Sequence, residues 1–174
     1  MKIPTLETDN LRLRPFSIID TTAMHQIFNT KNVLKYFPGP RTLTVAQVQR
    51  SINRLLDHWQ VKGYGLWALE SRATGELVGR CGLQHITETD EVEIDFIVSP
   101  KFWGRGFATE AGQASLQYGF ETLNQSLIVG IVHPENIASQ RVLTKLGMQF
   151  AEETQYFGMA VQRFVKTHPE FLIN

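Results

Sequence analysis

The chain has one cysteine, no excess of either charge, no low-complexity run and no apolar stretch of bilayer length. Each absence removes a class of protein. Cys81 alone cannot close an intramolecular disulfide or build a cysteine zinc site, which suits a reducing compartment. Within Leu77-Val-Gly-Arg-Cys-Gly-Leu83 it reads as a buried structural thiol. Lysine plus arginine and aspartate plus glutamate stand at 17 each, so no overall field draws nucleic acid or an anionic membrane. No segment approaches the roughly 20 apolar residues of a membrane span. The N-terminal Met1-Lys-Ile-Pro-Thr-Leu-Glu7 lacks the apolar region of a signal peptide. His25, His58, His85, His133 and His168 are scattered without metal-ligand spacing, so no metal site is expected. The expectation is a soluble, cytoplasmic protein with neither a nucleic-acid nor a membrane partner. At 174 residues, one domain spanning 1–174 is expected, large enough for its own core.

What is present is an alternation of short strands and helices. Leu11-Arg-Leu-Arg-Pro-Phe16 alternates as a strand with one buried face. Asp20–Phe28 and Thr44–Trp59 carry apolar residues at helical spacing, and a proline-bracketed aromatic loop, Val33–Arg41, separates them. Gly65–Glu70 and Glu76–Leu83 flank Arg72-Ala-Thr-Gly75 as a hairpin. Leu127–Val132 reads as a buried strand, Asn136–Leu146 as a helix stopped by Gly147, and Met148–Tyr156 and Met159–Lys166 as two last strands. With no linker and no internal repeat, the class is α+β.

The most informative stretch is Val92–Ala111. It begins as a strand with acids at alternate places, Glu91, Glu93 and Asp95, and stops at Ser99-Pro100. A loop holding Gly104 and Gly106 follows, and then a helix opens at Phe107 with small residues Ala108, Ala111, Gly112, Ser115 and Gly119 at three- and four-residue steps. The first N–H groups of a helix lack intrahelical partners and carry the positive end of its dipole, and glycines admit a ligand close to the backbone. This is an anion cradle suited to pyrophosphate. A Walker loop would need Gly-Lys-Ser/Thr, but Arg105 follows Gly104 and Phe107 follows Gly106. A dinucleotide loop would need a third glycine where Thr109 stands.

A second motif lies about thirty residues on, where Asn136-Ile-Ala-Ser139 opens the helix that ends Lys145-Leu-Gly-Met148. Together, Lys101-Phe-Trp-Gly-Arg-Gly106 and Asn136–Met148 resemble the signature motifs of the GNAT acetyltransferases. Glu7–Phe16, the Tyr36-Phe-Pro segment, Glu93-Ile-Asp-Phe96 and Trp103–Ala111 are similar to the branch that acetylates ribosomal-protein N-termini at alanine or serine. The resemblance implies a three-layer acyl-CoA N-acyltransferase fold. Its mixed, mostly antiparallel sheet has about seven strands, two of which splay apart to admit acetyl-CoA. It implies that Lys101 and the backbone of Trp103, Gly104, Arg105, Gly106, Phe107, Ala108 and Thr109 take the pyrophosphate. Phe96, Ile97 and Val98 would pair their backbones with the pantetheine arm, one N–H polarising the thioester carbonyl. Asn136 would also bond that arm.

It implies, further, direct attack by a primary amine in a ternary complex, with no nucleophilic residue. Glu93 is the candidate base, and an ordinary solvated or ion-paired strand residue is the alternative. Asp95 is a second candidate on that face. A tyrosine common in the family seven residues after the asparagine is replaced by Leu143, so Ser139 is the candidate acid, or simply a serine bonding within its own helix turn. Tyr36, Phe37, Trp67 and Asp95 are candidates for the acceptor pocket, although aromatics at such places also build cores. The acceptor would be an amine-bearing small molecule or a protein N-terminus, and the protein a monomer or homodimer. A catalytically inactive acyl-CoA sensor is the alternative reading, favoured by the missing tyrosine.

Overall fold

The computed structural model describes residues 2–156 and 158–168. Its alternating segments form one eight-stranded sheet in the order β1 (Leu6–Glu7), β2 (Leu11–Arg14), β3 (Leu66–Ser71), β4 (Leu77–Ile86), β5 (Glu91–Val98), β6 (Leu127–Val132), β8 (Met159–Thr167), β7 (Gln149–Tyr156). Every neighbouring pair is antiparallel except β5 with β6. The mixed, mostly antiparallel architecture is as expected. The count exceeds seven because of β1, a two-residue strand paired to β2. β4 also runs beyond Leu83 to Ile86, since β5 continues to offer partners in register, Gln84 opposite Glu93 and Ile86 opposite Glu91.

Two helices cover one face. α1 (Thr21–Asn29) and α2 (Val45–Lys62) pack Met24, Ile27, Phe28, Val48 and Ile52 against Ala68 of β3 and Ile97 of β5. A reciprocal capping box starts α2. The Thr44 hydroxyl accepts from Gln47 N at 3.2 Å, and the Gln47 side chain accepts from Thr44 N at 2.7 Å. Gly63, at φ 79°, ends it in the left-handed conformation that glycine adopts without strain. α3 (Phe107–Gln117) and α4 (Ile137–Lys145) cover the other face, over Leu13, Trp67, Leu83, Ile94 and Ile128. The small side of α3 is what lets it approach. A Cβ on Gly112 would stand 2.8 Å from a Leu146 methyl, and one on Gly119, in the π-helical turn Tyr118–Thr122, would stand 2.6 Å from Ile128 Cδ1.

One carboxylate ties the start of α3 to the first hairpin. Glu110 accepts from Thr8 Oγ1 at 2.6 Å, Asn10 N at 2.7 Å and Asn10 Nδ2 at 3.0 Å. Burial alone would raise its pKa, but these hydrogen bonds together hold it below the ordinary value. Glu110→Gln is therefore expected to cost about 1–3 kcal/mol, because a bonded acceptor oxygen becomes an amide donor. The lowered pKa means that wild-type stability is lost as pH falls through the acid range, a limb the variant should lack in thermal melts between pH 3 and 7.

Candidate active site

Strand parity decides what can face what. Ser99 N donates to Val78 O at 2.8 Å, and the β4–β5 register places these two residues opposite each other. In an antiparallel ladder that orientation recurs every second residue. The backbone groups of Glu93, Asp95 and Ile97 therefore point to β4, whereas those of Ile94, Phe96 and Val98 point toward β6. β6 meets β5 at a single parallel pair, Glu93 with Val129, and then diverges. The pinched end is bolted by Glu91, which accepts from Tyr156 Oη at 2.6 Å and pairs with Arg163 Nη2 at 2.5 Å. Beyond the pinch, no strand among the described residues pairs with the β6-facing edge of β5.

This orientation corrects one expectation. Ile97 cannot offer its backbone to a ligand in the gap, because those groups serve the β4 ladder; Phe96 and Val98 present theirs instead. The Val98 carbonyl already accepts from the Trp103 indole at 2.7 Å, which fixes that half-exposed ring at the end of the gap.

The gap leads into a cavity of about 340 Å³ that brings together Tyr36, Phe37, Glu93, Asp95, Phe96, Ile97, Asn136 and Ser139. Trp67 is not among its lining residues. It is fully buried on the opposite face of the sheet, its indole donating to Pro4 O at 2.8 Å, because the neighbouring Ala68 takes the α1–α2 face. Trp67 is a core residue, contrary to its expected place in the acceptor pocket.

Glu93 is buried, and among the described residues it makes no ion pair. It is 6% exposed and accepts from Gln84 Nε2 at 2.8 Å. Burial pushes its carboxyl up to about 8; Asp95 adds to the rise, and hydrogen bonds from Gln84 and the Ile131 backbone partly oppose it. Asp95 behaves differently, since Arg80 Nη2 holds it at 2.7 Å. Two carboxylates on one strand face are thus separated in character, one poised near neutrality and one committed to a cation. Arg80 and Gln84 were invisible as site residues in the sequence. Their only signal is polarity within an apolar strand, Gln84 standing opposite Glu93 and Arg80 opposite Ile97, two residues along from Asp95.

The cradle forms where the glycines lie. Gly104 and Gly106 have φ of 76° and 80°, and Gly106 is the N-cap of α3 with no side chain capping it. The first intrahelical bond is Glu110 N to Gly106 O at 2.9 Å, so the N–H groups of Phe107, Ala108 and Thr109 precede any carbonyl of their own helix. No atom lies within 4 Å of where a Cβ on either glycine would stand, so that side of the loop is open. An uncapped helix start with open space before it fits a pyrophosphate. The Lys101 ammonium, beside the loop, forms an exposed ion pair with Glu76 Oε1 at 2.5 Å. Asn136 caps α4 by accepting from Ser139 N at 3.2 Å, and both residues line the cavity.

Comparison with known proteins follows the same lines. A family model described as an acetyltransferase (GNAT) domain matches residues 10–149. The uncharacterized N-acetyltransferase YoaA of Bacillus subtilis is 33% identical over 147 residues, covering 84% of this chain and 83% of the relative. The spermidine N(1)-acetyltransferase of Escherichia coli K12 is 29% identical over 153 residues, 84% of this chain and 77% of the relative. The crystal structure of a ribosomal-protein-S5-alanine acetyltransferase from Vibrio fischeri superposes with a TM-score of 0.77, covering 97% and 98% of the two chains at 15% identity, a likeness of fold alone.

Proposed function

The chain belongs to the GNAT acetyltransferase family, and from that premise we propose that residues 1–174 act as one domain transferring acetyl from acetyl-CoA to a primary amine by direct attack in a ternary complex. The observation that carries this reading is the single β5–β6 pair at Glu93, beyond which a free strand edge runs to the uncapped start of α3. When bound, acetyl-CoA supplies an activated acyl group on a thiol leaving group. The residues divide the remaining work. The loop from Trp103 to Gly106 and the first-turn N–H groups of Phe107, Ala108 and Thr109 hold the pyrophosphate. Phe96 and Val98 align the arm as an added strand would, and a Phe96 N–H aimed at the carbonyl polarises it, a contribution of about 3 kcal/mol where such donors have been removed. Asn136 Nδ2 donates to the arm.

Glu93 takes the proton of the attacking amine, its raised pKa placing it near neutrality as a base should be. Ser139 Oγ donates to the departing sulfur from the first turn of α4. Cys81 takes no part, since burial pushes its thiol up to about 12. The acceptor is a small-molecule amine or a protein N-terminus.

One observation favours a second reading, an acyl-CoA sensor without catalysis. The residue seven after Asn136 is the apolar Leu143, which lines the cavity where a tyrosine hydroxyl would otherwise stand. Calorimetry and thiol release separate the two. Acetyl-CoA is expected to bind the pure protein at micromolar concentration and, with a suitable amine, to release free thiol. Binding with no thiol from any amine establishes the sensor, and no heat with no thermal shift overturns both readings.

A further inference from the structure

We propose that the acceptor is a monoamine carrying an aromatic or branched apolar body, and that polyamines are poor acceptors. This deepens the transferase reading and rests on it. The charge of the cavity carries the argument. Its lining holds two carboxylates, Glu93 and Asp95, and Asp95 is held at 2.7 Å by Arg80. The Arg80 guanidinium also lies 5.6 Å from the Phe28 ring centroid, so that ion pair is built into the wall. Glu93 accepts from Gln84 and the Ile131 backbone, and no cation lies within ion-pair distance of it among the described residues. The cavity thus offers one carboxylate to one ammonium.

Apart from these two carboxylates, Arg80 and the polar side chains of Tyr36, Ser51, Gln84, His133, Asn136 and Ser139, the lining of the chamber is apolar. Phe28, Leu34, Phe37 and Leu43 close it from the α1–α2 side, and Met159 and Val161 from β8. The loop that brings Leu34 and Phe37 is fixed at both ends. Asn29 exchanges two 2.9 Å hydrogen bonds with Leu43, and Arg41 Nη1 donates to Leu34 O at 2.5 Å and Phe37 O at 2.7 Å. Tyr36 from the same loop stacks on His133 beyond β6, ring centroids 5.1 Å apart, and both line the cavity. With the ammonium at Glu93, the second ammonium of a polyamine would lie against this wall and lose its hydration with no carboxylate to replace it. An apolar body gains there instead, by leaving water.

Thiol release by the intact protein with acetyl-CoA tests this with phenethylamine, tyramine and isoamylamine against putrescine, spermidine and an alanine-led peptide. The expected result is a kcat/KM for phenethylamine at least about tenfold above those of the polyamines and the peptide. A polyamine or the peptide turned over better than the arylamine overturns the inference and leaves the transferase standing. No thiol from any amine overturns the transferase reading and the inference together. A second arm uses Phe37→Glu, which adds a carboxylate to the wall and should move the putrescine-to-phenethylamine ratio of kcat/KM about tenfold toward putrescine. An unchanged ratio in a variant that still shows the acetyl-CoA thermal shift also overturns it.

Discussion

Glu93→Gln is expected to lower kcat/KM for amine acetylation by roughly a hundredfold to ten-thousandfold while leaving acetyl-CoA affinity unchanged, the range seen when a positioned base is removed. The pH profile is the sharper readout. The wild-type carboxyl sits at about 8, so the base form grows as pH rises through that value, and kcat/KM should rise with a midpoint there. In the variant that limb should vanish, leaving only the ionisation of the amine itself. A wild-type profile without a limb near 8, or a limb that survives the substitution, removes Glu93 from the mechanism. The same shift has a consequence for stability. A carboxyl whose folded pKa is raised binds its proton more tightly in the folded state. Its contribution is full below the ordinary pKa of about 4.5 and lost as pH rises through about 8. Glu93→Gln should therefore melt above the wild type at pH 9, with the gap closing toward pH 4. Activity lost and alkaline stability gained in one variant is the signature of a buried functional carboxylate rather than a structural one.

Gly79→Ala should have the largest effect on folding. A Cβ at Gly79 would stand 2.0 Å from the Ile97 carbonyl oxygen and 3.0 Å from Val98 Cα, and both are backbone atoms of β5. No rotamer change relieves that contact, so the β4–β5 ladder itself must open. The expected cost is about 3 kcal/mol or more, a fall in Tm of roughly 6–12 °C for a chain of this size. Because the displaced backbone is the wall that faces the gap, acetyl-CoA affinity should fall with it. Gly112→Ala serves as the comparison. Its added methyl meets the tip of Leu146 at 2.8 Å, a side chain that can rotate, and the loss in Tm should be much smaller. Equal melting of the two variants would contradict this account of the ladder.

Much of the scaffold was legible because its signals are local. Gly147 marks the end of α4 through a dihedral, φ 75°, that needs no distant partner. The alternation in Val92–Val98 marks a strand whichever partner it finds. The cradle was legible for the same reason, since Gly104, Gly106 and the start of α3 are contiguous. Errors arose where a property depended on pairing. Ile97 was expected to serve the ligand with its backbone, yet parity set by β4 turns those groups away. Trp67 has the composition of a pocket aromatic, yet its neighbour Ala68 takes the face that the pocket needs. The partner of Lys101 is Glu76, twenty-five residues earlier, a contact that no local signal announces.

The Val92–Ala111 stretch by itself determined a strand, a glycine loop and an uncapped helix start, because each depends on dihedral preference and hydrogen bonds between near neighbours. Only the tertiary structure decided that β6 would touch this strand at one residue and leave its edge free, since that gap is fixed by the Glu91, Tyr156 and Arg163 contacts with the C-terminal strands. Only it decided the character of the two acids. Glu93 and Asp95 are chemically alike and two residues apart in sequence. Burial beside Gln84 raises the first, and Arg80, reaching across from β4, holds the second as its ion-pair partner. A carboxylate's chemistry is set by the dielectric and the charges around it, and those are assembled from segments that the sequence keeps far apart.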